Sequence, residues 1–382
     1  MKKKLLILAV AGLALASCSK DETIAVNEGD AISFRAFNNG MTRAADVDLP
    51  SNGFWVTALK QGQAPSAENT YFDNVHFTGS GPYTSNPKYY WPNAYNLDFY
   101  AYSPAAATST DVVRTDYKTF VITANATAAD QVDFVYANTK DWGKATLQGG
   151  TDASHQIGAA NGVTINFRHA ESKVIIKLKN TNSNVKFTVG DVTIGNLSNS
   201  GTFTYNSTNT DGQGSGKLTN AEWGTLSATT STFTQTVADG TVYSTSTSAQ
   251  AGVDMILIPQ TLVNKTQYTK DDGTTAADAV DDPFKGAYIK VQLKMQNAAN
   301  NAYILGTSGD WEIAMWPLAA LQWQPGYKYT YEVDLSGGGY FPANHDTDPD
   351  LDPILEGAEI KFTTVTVDAW TDYATNPIII SN

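Results

Sequence analysis

Apolar and polar residues alternate with a period of two along much of the chain. Ala287, Ile289, Val291, Leu293 and Met295 interleave with Tyr288, Lys290, Gln292, Lys294 and Gln296. Tyr327, Tyr329, Tyr331, Val333 and Leu335 interleave in the same way with Lys328, Thr330, Glu332 and Asp334. One apolar and one wet face per segment predict half-buried antiparallel strands. Gly53 to Leu59 reads as a buried strand and Asn69 to Phe77 as another. Ala31 to Phe37 puts Ile32, Phe34 and Ala36 on one face. Helical periodicity is almost absent, so the pattern predicts an all-β protein of packed sandwiches. The Ser/Thr-rich tract from Thr225 to Ser248 is low in complexity and reads as a long hairpin or a mobile loop.

The alternation slips once, near the C-terminus. Ile360 and Phe362 share a face, Val365 and Val367 fall on the other, and Trp370 returns to the first. A strand of period two needs a bulge or a kink to do this. Pro377 then leads into Ile378, Ile379 and Ile380, an apolar run that an isolated tail would not keep in water. The run wants a groove, in its own domain or in a neighbour.

The N-terminus carries a different signal. Lys2, Lys3 and Lys4 precede an apolar run from Leu5 to Leu15, far shorter than the ~20 residues of a membrane-spanning helix. Leu15-Ala16-Ser17-Cys18 resembles the lipobox of bacterial lipoproteins, and Cys18 is the only cysteine in 382 residues. Acyl chains on that thiol would tether the mature protein without spanning the bilayer. Ser19-Lys20-Asp21-Glu22 resembles the acidic surface-export signal of Bacteroidetes lipoproteins; the alternative is a solvated charged tether. The turn-rich linker from Asn38 to Asp46 then holds Arg43-Ala44. Arg43 is the only one of four arginines (Arg35, Arg43, Arg114, Arg168) flanked by small and turn-forming residues on both sides. An arginine-specific protease would find one easy site there. A plain linker arginine is the alternative.

Composition narrows the class. Loss of 17 residues at Cys18 would leave 365, enough for two domains of ordinary size. Charged residues are only 16% of the chain, while Tyr, Thr, Asn and Gly abound, as in an extracellular β protein. The net charge of −13 becomes −16 without the three n-region lysines, which argues against nucleic-acid binding. A lone cysteine allows no intrachain disulfide, so sheet packing must supply the stability.

Ordered landmarks carry a more specific likeness. An Ile-x-Phe strand and Thr42-Arg43-Ala44 are followed by Phe54-Trp55-Val56, Tyr89-Tyr90-Trp91-Pro92 and Asp98-Phe99-Tyr100-Ala101-Tyr102-Ser103-Pro104. Further on come Phe167-Arg168-His169-Ala170 with the strand Lys173 to Leu178, Met255 to Gln260, and Trp323-Gln324-Pro325-Gly326-Tyr327. Taken in this order they resemble the fimbrillin (Mfa-like) family of Bacteroidetes type V pilins and related surface lipoproteins. The resemblance implies two tandem antiparallel β-sandwich, transthyretin-like domains, at 46–182 and 183–382, behind a signal peptide at 1–17 and a lipidated, cleavable segment at 18–45. It implies an outer-membrane, cell-surface lipoprotein that enters a pilus. Cleavage after Arg43 would remove the first strand, and a neighbour's C-terminal segment would fill the groove. Ile360, Phe362, Val365, Val367, Trp370, Ile378, Ile379 and Ile380 are the donor candidates. The implied partners are other fimbrillin subunits, the protease, the membrane and a ligand on a host or bacterial surface. A lipid-anchored tip, anchor or glycan-binding adhesin that does not polymerise is the alternative.

Chemistry-bearing clusters are few. His76, His155, His169 and His345 show no metal-ligand spacing, and His169 reads as a core or domain-interface residue. Nucleophile-and-base signatures find no candidate, so neither an enzyme nor a cofactor is expected. Asp346, Asp348, Asp350 and Asp352 are the best metal candidate, but Leu351 and Gly357 stand where a calcium loop wants glycine and glutamate. A solvated acidic loop fits better. Gly337-Gly338-Gly339 reads as a hairpin connector. Tyr89, Tyr90 and Trp91 suit a sugar platform or a sandwich core. Replacing Cys18 by Ala should abolish palmitate labelling of the expressed precursor; undiminished label would refute the lipobox.

Overall fold

The computed structural model describes residues 26–38, 53–79, 82–104, 111–143, 162–205, 223–237, 242–243, 247–262, 286–337, 362–369 and 378–379. In chain order, β1 (Val26–Ala31) and β2 (Phe34–Asn38) open the fold. β3 (Phe54–Lys60), β4 (Thr70–Thr78), β5 (Thr84–Ser85), β6 (Tyr90–Pro92) and β7 (Leu97–Ser103) follow. Next come β8 (Val112–Arg114), β9 (Thr119–Thr123), β10 (Val135–Trp142), β11 (Val163–His169) and β12 (Ser172–Lys179). β13 (Val185–Ser198), β14 (Ser200–Thr204), β15 (Trp223–Leu226), β16 (Thr230–Thr236), β17 (Val242–Tyr243), β18 (Ala249–Gln250) and β19 (Met255–Leu257) continue the chain. The last are β20 (Tyr288–Asn297), β21 (Tyr303–Leu305), β22 (Glu312–Pro317), β23 (Tyr327–Asp334), β24 (Phe362–Ala369) and β25 (Ile378–Ile379).

These strands build a seven-stranded sheet in the order β2-β11-β10-β7-β3-β4-β5 and a four-stranded sheet β15-β14-β9-β8. One six-stranded sheet runs β18-β12-β23-β24-β25 with β19 also on β12. A second runs β16-β13-β20-β21 with β17 on β13 and β22 on β20. β1 pairs with β6 alone. The protein is thus all-β, as its periodicity predicts. Pairing is antiparallel except at β2–β11 and β12–β23, which run parallel. A period of two cannot distinguish the two senses, because each leaves side chains on alternate faces.

The alternating segments bury the expected sides. Ile289, Val291, Leu293 and Met295 of β20 are buried, as are Tyr329, Tyr331 and Val333 of β23. The Ser/Thr-rich tract departs from its expected form: it supplies the end of β15 and all of β16 and β17, in two different sheets. Phe233, fully buried opposite Ile194 of β13, anchors this stretch, and threonine suits a pleated surface.

Two apolar clusters result. One face of the seven-stranded sheet packs Phe54, Val56, Phe99, Val163, Ile165 and Phe167 with Phe34, Phe77 and Trp91. Its other face presents Tyr102 and Tyr136 to Phe120, Phe203 and Trp223 of the four-stranded sheet, in a cluster that continues through both six-stranded sheets. Aromatic edges meet there, with Phe120 and Phe134 centred 4.9 Å apart and Tyr136 and Phe203 4.6 Å apart. Arg114 of β8 reaches Asp73 of β4 at 2.6 Å, and Thr57 donates to the same carboxylate.

The chain crosses between sheets at Ala170–Glu171. Ala170 donates its N–H to the Phe134 carbonyl, and the Trp223 indole donates to the Ala170 carbonyl at 2.7 Å. Gly326 donates to the Glu171 carbonyl, and the Glu171 side chain, 1% exposed, accepts the Phe134 N–H at 2.8 Å. Burial pushes the Glu171 carboxyl well above the ordinary carboxylate range; the Phe134 amide opposes this, and the charges of Asp133 and Asp111 add to the rise. A raised carboxyl favours the folded state fully below its unfolded value, and that contribution is lost as pH climbs through the folded value. Glu171→Gln should therefore melt like the wild type in acid, below the ordinary carboxylate range, and increasingly above it as the pH rises past that range. Parallel melting curves at every pH would mean that the carboxyl is ionised in the fold.

Candidate functional site: the seat of the first strand

β2 lies on the rim of the seven-stranded sheet, parallel to β11, with Phe34 opposite Val163 and Asn38 opposite Phe167. Val163 donates to the Ser33 carbonyl at 2.8 Å. On the other side, Phe34 and Tyr83 exchange backbone hydrogen bonds of 3.0 and 2.9 Å, and Ile32 donates to the Tyr89 carbonyl at 2.7 Å. The segment from Ile32 to Phe34 is therefore held along both of its edges. Gly162 makes the approach on the β11 side: its φ is +67°, and a Cβ there would sit 2.8 Å from the Ser33 carbonyl oxygen.

The Phe34 ring fills the centre of the first cluster and is fully buried. It meets Phe77 edge-on at 4.7 Å, Phe99 at 5.1 Å and Phe54 at 5.8 Å. Ile32 is buried in the same cluster. The expectation that these two share an inward face holds. What the pattern did not disclose is the seat itself, drawn from Tyr83, Val163 and three phenylalanines far apart in the chain. The one local signal for it is the Phe-x-His-Ala element that ends β11.

Cys18, Arg43, Ala44 and the Asp346–Asp352 loop lie outside the described residues. In sequence Arg43 falls between β2 and β3. The other three arginines all stand in strands: Arg35 in β2, Arg114 in β8 and Arg168, 4% exposed, in β11. His169 is half-buried, its Nδ1 2.8 Å from Asp133 at the rim of the sheet. Trp91 belongs to the core, and Tyr89 packs against it. Among the described residues no three His, Cys, Asp or Glu side chains gather as a metal group, and no helix is long and apolar enough to cross a membrane.

At the other end of the chain, β24 pairs with β23 through Val367 opposite Tyr329 and Val365 opposite Tyr331. The register then shifts by one residue, so that Phe362 stands opposite Val333 and Thr363 is left over. This is the bulge that the apolar pattern requires. It brings Phe362, Val365 and Val367 to register positions facing three buried residues of β23. β25 adds to the rim of that sheet through Ile378 opposite Val367 and Ile379 opposite Thr366. Ile360, Trp370 and Ile380 lie outside the described residues.

A fimbrillin-like family model matches residues 42–370, and the chain belongs to that family. The family is one of fimbrial and cell-adhesion structural proteins. Solved structures of similar shape include a candidate cell adhesion protein from Bacteroides uniformis, 15% identical, covering 90% of this chain and 100% of that one with a TM-score of 0.43. A fimbrial protein from Bacteroides vulgatus is 14% identical over 89% and 99%, with a TM-score of 0.48. A candidate cell adhesion protein from Bacteroides ovatus is 14% identical over 84% and 97%, with a TM-score of 0.46. None of the three reaches 0.5, so the family assignment rests on the sequence match. No curated protein matches the chain significantly.

Truncating Phe34 to Ala removes a ring with partners on three sides and should lower stability by about 3–5 kcal/mol in a urea titration. The same change at exposed Val113 should cost under about 0.5 kcal/mol. Equal losses would show that Phe34 does not anchor the strand.

Proposed function

We propose that this chain is a pilus subunit: exported as an outer-membrane lipoprotein through Cys18, cleaved after Arg43 and assembled by β-strand complementation for surface adhesion. The observation that carries the reading is the seat of Phe34. The strand that fills it joins the body only through the connection that holds Arg43. A cut there would leave β2 attached by non-covalent contacts alone. Its departure would bare Phe54, Phe77 and Phe99 together with an unpaired edge of β11, and both costs favour capture of another strand. The placement of Arg35, Arg114 and Arg168 in strands supports a single cleavage point, because proteases favour exposed loops.

The donor in this reading is the C-terminal segment of a neighbouring subunit, with β25 the first part to leave its own sheet since it is held by two residues only. Joining one subunit's end to another's groove is a heterologous contact that does not close, and it propagates as a filament. Two sandwich units, at 46–182 and 183–382, belong to this reading, although all strand partners of β12 (Ser172–Lys179) lie beyond residue 183. The partners of the assembled form would be like subunits and a ligand on a host or bacterial surface. The pairing of β24 and β25 within their own sheet favours a second reading, a lipid-anchored tip, anchor or adhesin that never exchanges strands.

Unlipidated precursor treated with an arginine-specific protease should give a new N-terminus at Ala44 and ladders or fibres in electron micrographs. Deletion of residues 359–382 should leave the cleavage and abolish the fibres. A resistant precursor, a trimmed monomer or unchanged fibres in the deletion variant would favour the non-polymerising adhesin.

A further inference from the structure

The seat of β2 specifies what can fill it. Ile32 donates its N–H to Tyr89, Ser33 accepts from Val163, and Phe34 both donates to and accepts from Tyr83. A replacement strand therefore needs an N–H at the first and third of these positions, which excludes proline from both. The side chains there must be apolar, since Ile32 and Phe34 are buried in the first cluster, while Ser33 between them is half-buried. The seat thus selects two apolar residues separated by one tolerant position.

The chain beyond β24 satisfies this pattern once. Between Trp370 and Asn382, Ile378 and Ile380 are two apolar residues at the required spacing, each with its N–H. Every other pair at that spacing contains a polar side chain or Pro377. Ile360 and Phe362 also stand one residue apart, but Phe362 belongs to β24, which pairs with β23 from Phe362 to Ala369. β25 is held to β24 through Ile378 and Ile379 alone. The short strand is far the cheaper of the two to release.

We propose that the tail of a second copy enters the seat with Ile378 in the place of Ile32 and Ile380 in the place of Phe34. The inference rests on the strand-exchange reading above and narrows its donor to these two residues. In this register Ile379 takes the place of Ser33, and Pro377 falls at position 31, outside the doubly bonded stretch. Ser381 and Asn382 continue along β11, opposite Thr164 and Ile165.

The two occupants are unequal. The Phe34 ring reaches Phe77, Phe99 and Phe54 at 4.7, 5.1 and 5.8 Å. An isoleucine in its place buries less apolar area and leaves part of that space unfilled. The resident strand is therefore the better fit, and its covalent attachment adds an effective concentration that the tail of a dilute neighbour lacks. Cleavage removes the second advantage. The mismatch keeps uncut precursors from accepting one another's tails.

Full-length unlipidated precursors with single tail substitutions, checked for folding by circular dichroism, would be cut with an arginine-specific protease and followed by light scattering and electron microscopy. Ile378→Ser and Ile380→Ser should each lower the fibre yield at least about tenfold. Ile379→Ser, which copies the residue that the resident strand carries there, should assemble like the wild type. Ile380→Phe should give fibres that come apart about tenfold more slowly in urea. Fibres unaffected by Ile378→Ser and Ile380→Ser, or lost with Ile379→Ser, would overturn the register and leave strand exchange standing. Unchanged urea resistance in Ile380→Phe would overturn the placement of Ile380 against the three phenylalanines. No fibres from cut wild-type protein would overturn strand exchange and this register with it.

Discussion

An apolar groove left open to water along a sheet edge is the constraint on which the fold depends, and the ring of Phe34 closes it. The ring touches three phenylalanines drawn from β3, β4 and β7. The strand's hydrogen bonds run to β11 on one side and to Tyr83 and Tyr89 on the other. Local sequence contributes almost nothing to its placement. The segment is held by its seat more than by its own propensity.

The rest of the molecule is far less separable. The four-stranded sheet joins β8 and β9 from the first half of the chain to β14 and β15 from the second, and its aromatic face covers Tyr102 and Tyr136. The crossing at Ala170–Glu171 is fixed by three residues from separate parts of the chain, Phe134, Trp223 and Gly326. The body is therefore braced across the middle, while both ends of the described chain lie at sheet rims. That contrast suits a subunit whose termini change partners and whose centre does not.

Much of this was legible in the residues. The faces of β20 and β23 follow from alternation, and the bulge at Thr363 follows from the one place where alternation slips. The family likeness rests on aromatic landmarks that prove to be core: Trp91, Phe99, Tyr102 and Trp323 are all buried. What stayed hidden depends on pairing across long separations. Parallel and antiparallel neighbours share one periodicity, so nothing near Phe34 announces β11. Glu171 looks like any strand-end glutamate, and only the fold reveals that its carboxyl is enclosed. The Ser/Thr-rich tract left a hairpin or a loop open, and composition could not show that its strands β16 and β17 pair with β13 and not with each other.

The parallel partnership of β2 and β11 also has a consequence in time. Residues 34–38 are made early, and their sheet partner at 163–167 follows more than a hundred residues later. A non-local contact of this kind forms late, after the chain between has been ordered. As the polypeptide grows, the seat for Phe34 is therefore completed only after β11 has been made, and a strand synthesised early is among the last to be enclosed.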